Sequence, residues 1–501
     1  MLFNSFNFLI FFPAVTGLYF IFPHKYRWAL LLVASCVFYM AFVPYYILIL
    51  LVTILIDYFA ALKIETTVGP KRKLYLTISI VSTCFVLIIF KYFNFFSVNF
   101  QAIASFLHWN YTCKLLNLVL PIGLSFHTFQ SLSYVIEVYR SRQKAEKNFG
   151  IYALYVMFFP QLVAGPIERP QNLLHQFYEE HQFDFLRIST GLKRMVWGFF
   201  KKMIIADNLA QYISRVFDNP HGFSSLTLFV AALFFTVQIY CDFSGYSDIA
   251  IGSAQVLGFR LMENFKHPYL ALSIPEFWSR WHISLSTWFK DYVYIPLGGN
   301  RVSVPRWCLN IMCTFLLSGL WHGASWTFIV WGALHGSYYV GYKLITHMCN
   351  KMRPIAQPCV VRVVVFFQWL VTFMLVLLTW IFFRANTLGD AWFTAYNAFF
   401  GIGDFLLSIA HAVTRLNFSP LARVIAPLFQ PLFGSHLYLA YYFGLLGIFV
   451  VVEVVDHKQG GFIKAISLLK PWLRWLIYII IVLGIMNLGV LQEVPFIYFQ
   501  F

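Results

Sequence analysis

The chain has 501 residues, of which 60% are hydrophobic and only 11% charged, with 36 lysines and arginines against 20 acidic residues for a formal net charge of +16. A water-soluble protein of this composition would expose large apolar patches, so a soluble fold is excluded and a chain dissolved mainly in lipid is implied. The basic excess does not point to nucleic acid, because it is scattered through short loops between apolar runs.

A helix needs roughly 20 apolar residues to cross a hydrocarbon core. In chain order the clear runs are Phe3–Phe22, Leu30–Leu62 (room for two spans around Pro44), Leu74–Phe95, Leu118–Ile136, Leu226–Ile239, Ile311–Val340, Val361–Phe383, Leu437–Val455 and Trp472–Leu491. These predict an all-α, polytopic integral membrane protein with about ten to twelve spanning or re-entrant helices. The first run lacks a basic leader and a small-x-small cleavage site, so it is expected to be retained. Eight cysteines show neither CxxC nor zinc-ligand spacing, and no metal site or disulfide framework is expected.

Three basic clusters fall on one side of these spans: Lys25 and Arg27; Lys63, Lys71, Arg72 and Lys73; Arg140, Arg142, Lys144 and Lys147. Cytoplasmic loops carry such an excess, which puts the first residues outside. Lys464, Lys470 and Arg474 precede the last run, so the segment from Asn487 onward is expected outside as well. No internal repeat is visible, which argues against an inverted-repeat transporter for lipid or polysaccharide. With no soluble-domain-sized polar stretch, residues 1–501 read as one integral membrane domain with an aromatic tail at 493–501.

The middle third is chemically unusual. Between Phe159 and Gly336 the apolar pattern is interrupted by FPQLVAGPIERP (159–170), YCDFSGYSDIAIG (240–252) and GFRLMENFKHPY (258–269). Backbone broken by Pro and Gly at membrane depth survives only where protein or a water-filled cavity surrounds it, so these residues are expected to form a cavity interior. Asp242 and Ser244 are candidates to line it, though Asp242 and Asp248 could equally be held by Arg194, Lys201, Arg260 or Arg280.

Two histidines follow, and ionisable groups at membrane depth carry a functional expectation by default. His282 lies in EFWSRWHISLSTWFKDYVYIPLGGN (276–300), where Glu276 and Arg280 are one helical turn apart and suited to an ion pair. On a single helix His282, Ser286 and Phe289 share a face; the Trp-rich segment could also be only an interfacial anchor. His322 lies in LSGLWHGASWTFIVWGALHG (317–336), read as part of an apolar helix start beside Gly323, whose missing side chain leaves room for a ligand. A neutral imidazole can take a proton from a hydroxyl near physiological pH, and a second polar group is then needed to orient the base or bind the acyl oxygen. His282 is the natural second group; His335, thirteen residues beyond His322, reads as supporting or structural.

RWHISLSTWFKDYVYIPLGGNR, with GLWHG placing its histidine forty residues after the first, resembles the membrane-bound O-acyltransferase superfamily. More narrowly it is similar to the bacterial polysaccharide branch, typified by the alginate O-acetyltransferase membrane subunit. FPQLVAGPI, YCDFSGYSDIAIG, FRLMENFKHPY, SIPEFWSRWHISLS and the opening MLFNSFNFLIFF carry the same likeness over nearly the full chain. The resemblance implies a ring of tilted helices around a tunnel, in a multi-pass protein of the bacterial inner membrane. It implies His322 as the catalytic base and His282 as its polar partner; Asp242, Ser244, Trp281, Ser286, Trp321, Gly323 and His335 are candidates to line the tunnel or the substrate site. It further implies acetyl-CoA as donor with no bound cofactor, and an outer-side partner acetyltransferase acting on an envelope or secreted polysaccharide. The tail EVPFIYFQF (493–501) resembles the aromatic-Tyr-aromatic tails of envelope-acylating systems, in which a tyrosine is proposed to carry the acyl group. In teichoic acid D-alanylation such a tail lies on a separate small protein. Tyr498 matches that tyrosine. D-alanyl or another acyl group from an acyl carrier protein is the alternative donor chemistry.

Overall fold

The computed structural model describes residues 1–163, 165–349, 358–415, 419–428, 436–492 and 494–499. Among them every regular element is helical. They group into two compact units, one of Met1–Val196 with Tyr246–Glu263, the other of Trp197–Gly245 with the residues from Asn264 onward. The 33-residue helix Ser225–Leu257 gives its residues to both.

The first unit begins with Phe6–Ile21, His24–Met40 and Tyr46–Thr66, separated at Pro23 and Pro44 where proline cannot continue a helix. Ser5 caps the first of these by accepting the Phe8 N–H at 3.3 Å. A carboxylate buried between spans must be satisfied by its neighbours, and Asp57 accepts the Ser79 hydroxyl at 2.6 Å and that of Thr83 at 3.2 Å. The Phe185–Phe199 helix approaches the end of Ser225–Leu257 so closely that a Cβ on Gly252 would stand 2.7 Å from the Gly191 carbonyl oxygen. Arg194 meets Asp248 there at 2.8 Å, one of the pairings the sequence offers.

Seven helices among the described residues are long and apolar enough to cross a membrane, from Tyr46–Thr66 to Pro471–Leu488, and Phe6–Ile21 is shorter. The higher count expected from the sequence includes His24–Met40, Leu124–Tyr139, Val304–His322 and Trp326–Cys349, which are shorter or more polar. Leu118–Ile136 is not one helix: residues 110–121 are non-helical and the helix starts at Leu124. Apolar side chains project outward along Pro471–Leu488, where Ile479, Ile480 and Met486 are exposed, as lipid-facing residues should be.

In the second unit Val304–His322 and Trp326–Cys349 pack tightly along one another. The single run Ile311–Val340 is therefore two helices folded back on one another. Glycines permit the approach: a Cβ on Gly319 would lie 2.3 Å from the Phe328 carbonyl oxygen, and one on Gly332 would lie 2.4 Å from that of Phe315. This pair fixes His322 at its turn. Gly319→Val should force the helices apart at a cost of about 1–3 kcal/mol or more, lowering the thermal midpoint of the detergent-solubilised protein. Gly341→Ala, where nothing stands within 4 Å, should not lower it; equal midpoints for the two variants would contradict this account.

Candidate active site

The segment read as one amphipathic helix is two, Ile274–Arg280 and Ile283–Phe289, with His282 at the break. Its backbone is left-handed, φ 41°, a conformation that costs a non-glycine residue energy and persists only when surroundings impose it. Asn264 imposes it here: its carbonyl accepts the Ile283 N–H at 2.9 Å and its Oδ1 the Ser284 N–H at 3.3 Å. The His282 carbonyl then accepts the Ser286 N–H at 2.9 Å to start the second helix. Glu276 and Arg280 form the expected pair, at 2.5 Å.

His322 is the last residue of its helix, not part of a helix start. The chain leaves through extended Gly323 and re-enters helix at Trp326. The space beside Gly323 is filled, since a Cβ there would lie 2.1 Å from the Phe328 ring. The missing side chain thus makes room for Phe328 and not for a ligand.

Both imidazoles enter one aromatic cluster, and a third candidate ring enters with them. The Tyr498 ring centroid lies 5.3 Å from that of His322 and 6.5 Å from that of His282. Phe243 packs on Tyr498 at 4.8 Å and on His282 at 4.5 Å, while Phe383 packs on Tyr498 at 5.9 Å and on His322 at 5.4 Å. His282 is 0% and His322 3% exposed. Burial holds the His282 imidazole neutral, pushing its pKa down to about 3, and pushes the Tyr498 phenol up.

The tail reaches this cluster through a backbone bond. Asp242 Oδ2 accepts the Ile497 N–H at 2.8 Å, and Asp242 Oδ1 lies 2.6 Å from Lys202 Nζ, which also donates to Asp207 at 2.8 Å. Of the predicted tail, Glu493, Gln500 and Phe501 lie outside the described residues.

The other predicted residues are less uniform. Trp321 packs on His322 with centroids 4.9 Å apart and on His282 at 6.2 Å. Trp281 is buried among Phe265, Phe277 and Trp380. Ser244 is buried on the Asp242 helix. The Ser286 hydroxyl donates to the Trp281 carbonyl at 3.1 Å and borders a cavity of about 380 Å³ that Trp278, Phe315 and Tyr339 also line. His335 has both ring nitrogens engaged. The Trp278 indole can only donate, so Nδ1 accepts from it at 3.2 Å. Thr379 donates to the Val376 carbonyl at 2.7 Å, so Nε2–H donates to the Thr379 hydroxyl at 2.9 Å. Both bonds tie His335 into the packing around it.

Lys202, Asp207, Phe243 and Phe383 belong to the site and escaped sequence reasoning. Lys202 and Asp207 are five apart, a spacing that ordinary helical periodicity does not bring together; a π-helical turn at Phe200–Ala206 does. Phe243 and Phe383 carry no signal in a chain with 57 phenylalanines.

Residues 73–383 match the profile of the membrane-bound O-acyltransferase family. The chain is 36% identical to a probable alginate O-acetylase of Azotobacter vinelandii over 519 aligned residues covering 100% of both. It is 36% identical to the peptidoglycan O-acetyltransferase of Helicobacter pylori over 72% of this chain and 71% of that one. It is 28% identical to the teichoic acid D-alanyltransferase of Bacillus subtilis over 47% of this chain and 62% of that one. The chain belongs to the membrane-bound O-acyltransferase family, a family of multi-pass membrane acyltransferases.

The two hydrogen bonds at His335 generate a test. His335→Ala leaves the buried Trp278 N–H without its acceptor, a loss of about 1–3 kcal/mol. The thermal midpoint in detergent should fall; an unchanged midpoint would contradict the structural role.

Proposed function

We propose that residues 1–501 act as one integral membrane acyltransferase domain. It moves an acetyl group from cytosolic acetyl-CoA to the outer side of a bacterial inner membrane, for O-acetylation of an envelope or secreted polysaccharide. The observation that carries this reading is the seat of Tyr498 against His322 and beside His282.

In the first step His322 takes the phenolic proton as Tyr498 Oη attacks the thioester carbonyl. The carbon–sulfur bond breaks, and the thiolate takes the proton back from the imidazolium. The products are coenzyme A thiol and an acetyl ester on Tyr498, with no net proton change. Because burial raises the phenol's pKa, its proton must leave during the attack, which is the task of a neighbouring base. His282 orients the base or polarises the carbonyl oxygen as negative charge develops there. In water a phenol, with a pKa near 10, is a better leaving group than a sugar hydroxyl, so the ester would keep the acetyl group activated once out of the buried cluster. An outer-side partner acetyltransferase would complete delivery to the polymer. The lysine and arginine clusters of the loops support this direction of transfer.

Transfer of D-alanyl or another acyl group from an acyl carrier protein is the second reading, favoured by the likeness to the Bacillus subtilis enzyme. Full-length likeness to an O-acetylase weighs toward acetyl.

With purified protein and labelled acetyl-CoA, Tyr498 should become labelled, and His322→Ala should lower labelling about 100-fold or more. Tyr498→Phe should abolish covalent labelling of a folded chain. Undiminished labelling in His322→Ala would remove its assignment as base, and label persisting in Tyr498→Phe would remove the carrier.

A further inference from the structure

The aromatic tail is held at two places by one short stretch of chain. Where the Pro471–Leu488 helix ends, the Asn208 amide donates to the Leu488 carbonyl at 3.0 Å, and the Val490 N–H donates to the Met203 carbonyl at 3.1 Å. Farther along, the Ile497 N–H donates to Asp242, which Lys202 holds from its other oxygen. Met203 and Lys202 belong to the same π-helical turn, Phe200–Ala206. That turn is pressed against the Asp242 helix: a Cβ on Gly245 would lie 2.8 Å from the Gly198 carbonyl oxygen and 3.1 Å from the Lys202 nitrogen. The backbone that carries Lys202 is therefore held against the Asp242 helix, and its ammonium meets Asp242 at 2.6 Å.

The cluster is also short of donors. One ammonium serves two carboxylates, Asp207 and Asp242, all three side chains being nearly excluded from solvent. Asp207 Oδ2 has no hydrogen-bond donor among the described residues. An acceptor-rich buried cluster of this kind binds an incoming N–H strongly, because its carboxylates have no water to turn to.

Apolar packing alone would not fix the tail's register. Phe496 and Ile497 are buried, but a row of aromatic and branched residues can slide by one position and still pack. A slip of one residue in the turn Ile497–Phe499 would swing the Tyr498 ring away from both histidines. A backbone bond to an immobile carboxylate forbids that slip.

We propose that Asp242 is a positioning residue for acyl transfer: clamped by Lys202, its carboxylate fixes the Ile497 amide so that Tyr498 is presented between His282 and His322. This rests on the reading of Tyr498 as acyl acceptor.

The test compares two outcomes of the same donor, acetylation of Tyr498 and loss of the thioester to water, in the full-length purified protein with labelled acetyl-CoA. Asp242→Asn keeps the shape and removes the charge. Ile497→Pro leaves Asp242 intact and removes only the N–H, at the first position of a helical turn where proline is tolerated. Ile497→Ala keeps the N–H and reports the effect of the side chain alone. The ratio of Tyr498 labelling to hydrolysis should fall about 10-fold in Asp242→Asn, and about 10-fold in Ile497→Pro relative to Ile497→Ala, as loss of a charge-assisted bond predicts. A ratio in Ile497→Pro equal to that in Ile497→Ala overturns the proposal, even where Asp242→Asn fails to fold. Equal loss of labelling and hydrolysis in Asp242→Asn also overturns it, since the residue would then serve the fold. Wild-type protein that cleaves the thioester without labelling Tyr498 refutes the acceptor reading instead.

Discussion

Lys202, Asp207 and Asp242 sit together out of contact with water, and the geometry of the site follows from how their charges are met. An isolated ion in that position would be untenable, and losing one partner of a buried pair costs about 3–5 kcal/mol. One lysine serves both carboxylates, burial pushes Asp207 up to about 7, and the tail supplies a further donor to Asp242 through the Ile497 amide. An electrostatic requirement of the interior thus becomes a mechanical one: the tail stays where its N–H meets the carboxylate.

Around that anchor, the two histidines proposed for catalysis are held by close, buried packing. His282 is fixed by a left-handed backbone that Asn264 enforces, and His322 by a helix turn whose two arms touch through Gly319 and Gly332. Neither depends on a flexible loop. Aromatic rings pack around the two histidines and Tyr498; in the proposed reaction such packing would keep water from competing with Tyr498 for the acyl group. His335 differs in place: its two ring nitrogens meet Trp278 and Thr379, away from the Tyr498 ring.

Much of the fold was legible in the sequence because lipid imposes long apolar runs, and those at Val361–Phe383, Leu437–Val455 and Trp472–Leu491 correspond to long helices. Breaks inside apolar runs were harder to see. Nothing in the composition of Ile311–Val340 separates one long helix from two, and only the close approach of glycines does so. His282, His322 and Tyr498 stand out as polar groups in an apolar setting, so their candidacy was readable; their meeting in one cluster was not, because Tyr498 is 176 residues beyond His322. Lys202 was missed in favour of its neighbour Lys201. Both lysines are buried in the π-helical turn Phe200–Ala206, and the sequence does not say which of them meets Asp242.

The central claim is that the Tyr498 oxygen is the first acyl acceptor. It is tested most directly by quenching a single turnover with acetyl-CoA in acid and mapping the peptides by mass spectrometry. The account predicts one acetyl group, on Tyr498, appearing as the coenzyme A thiol is released. Acetyl found on another residue, or thioester consumed with Tyr498 unmodified throughout, would contradict it.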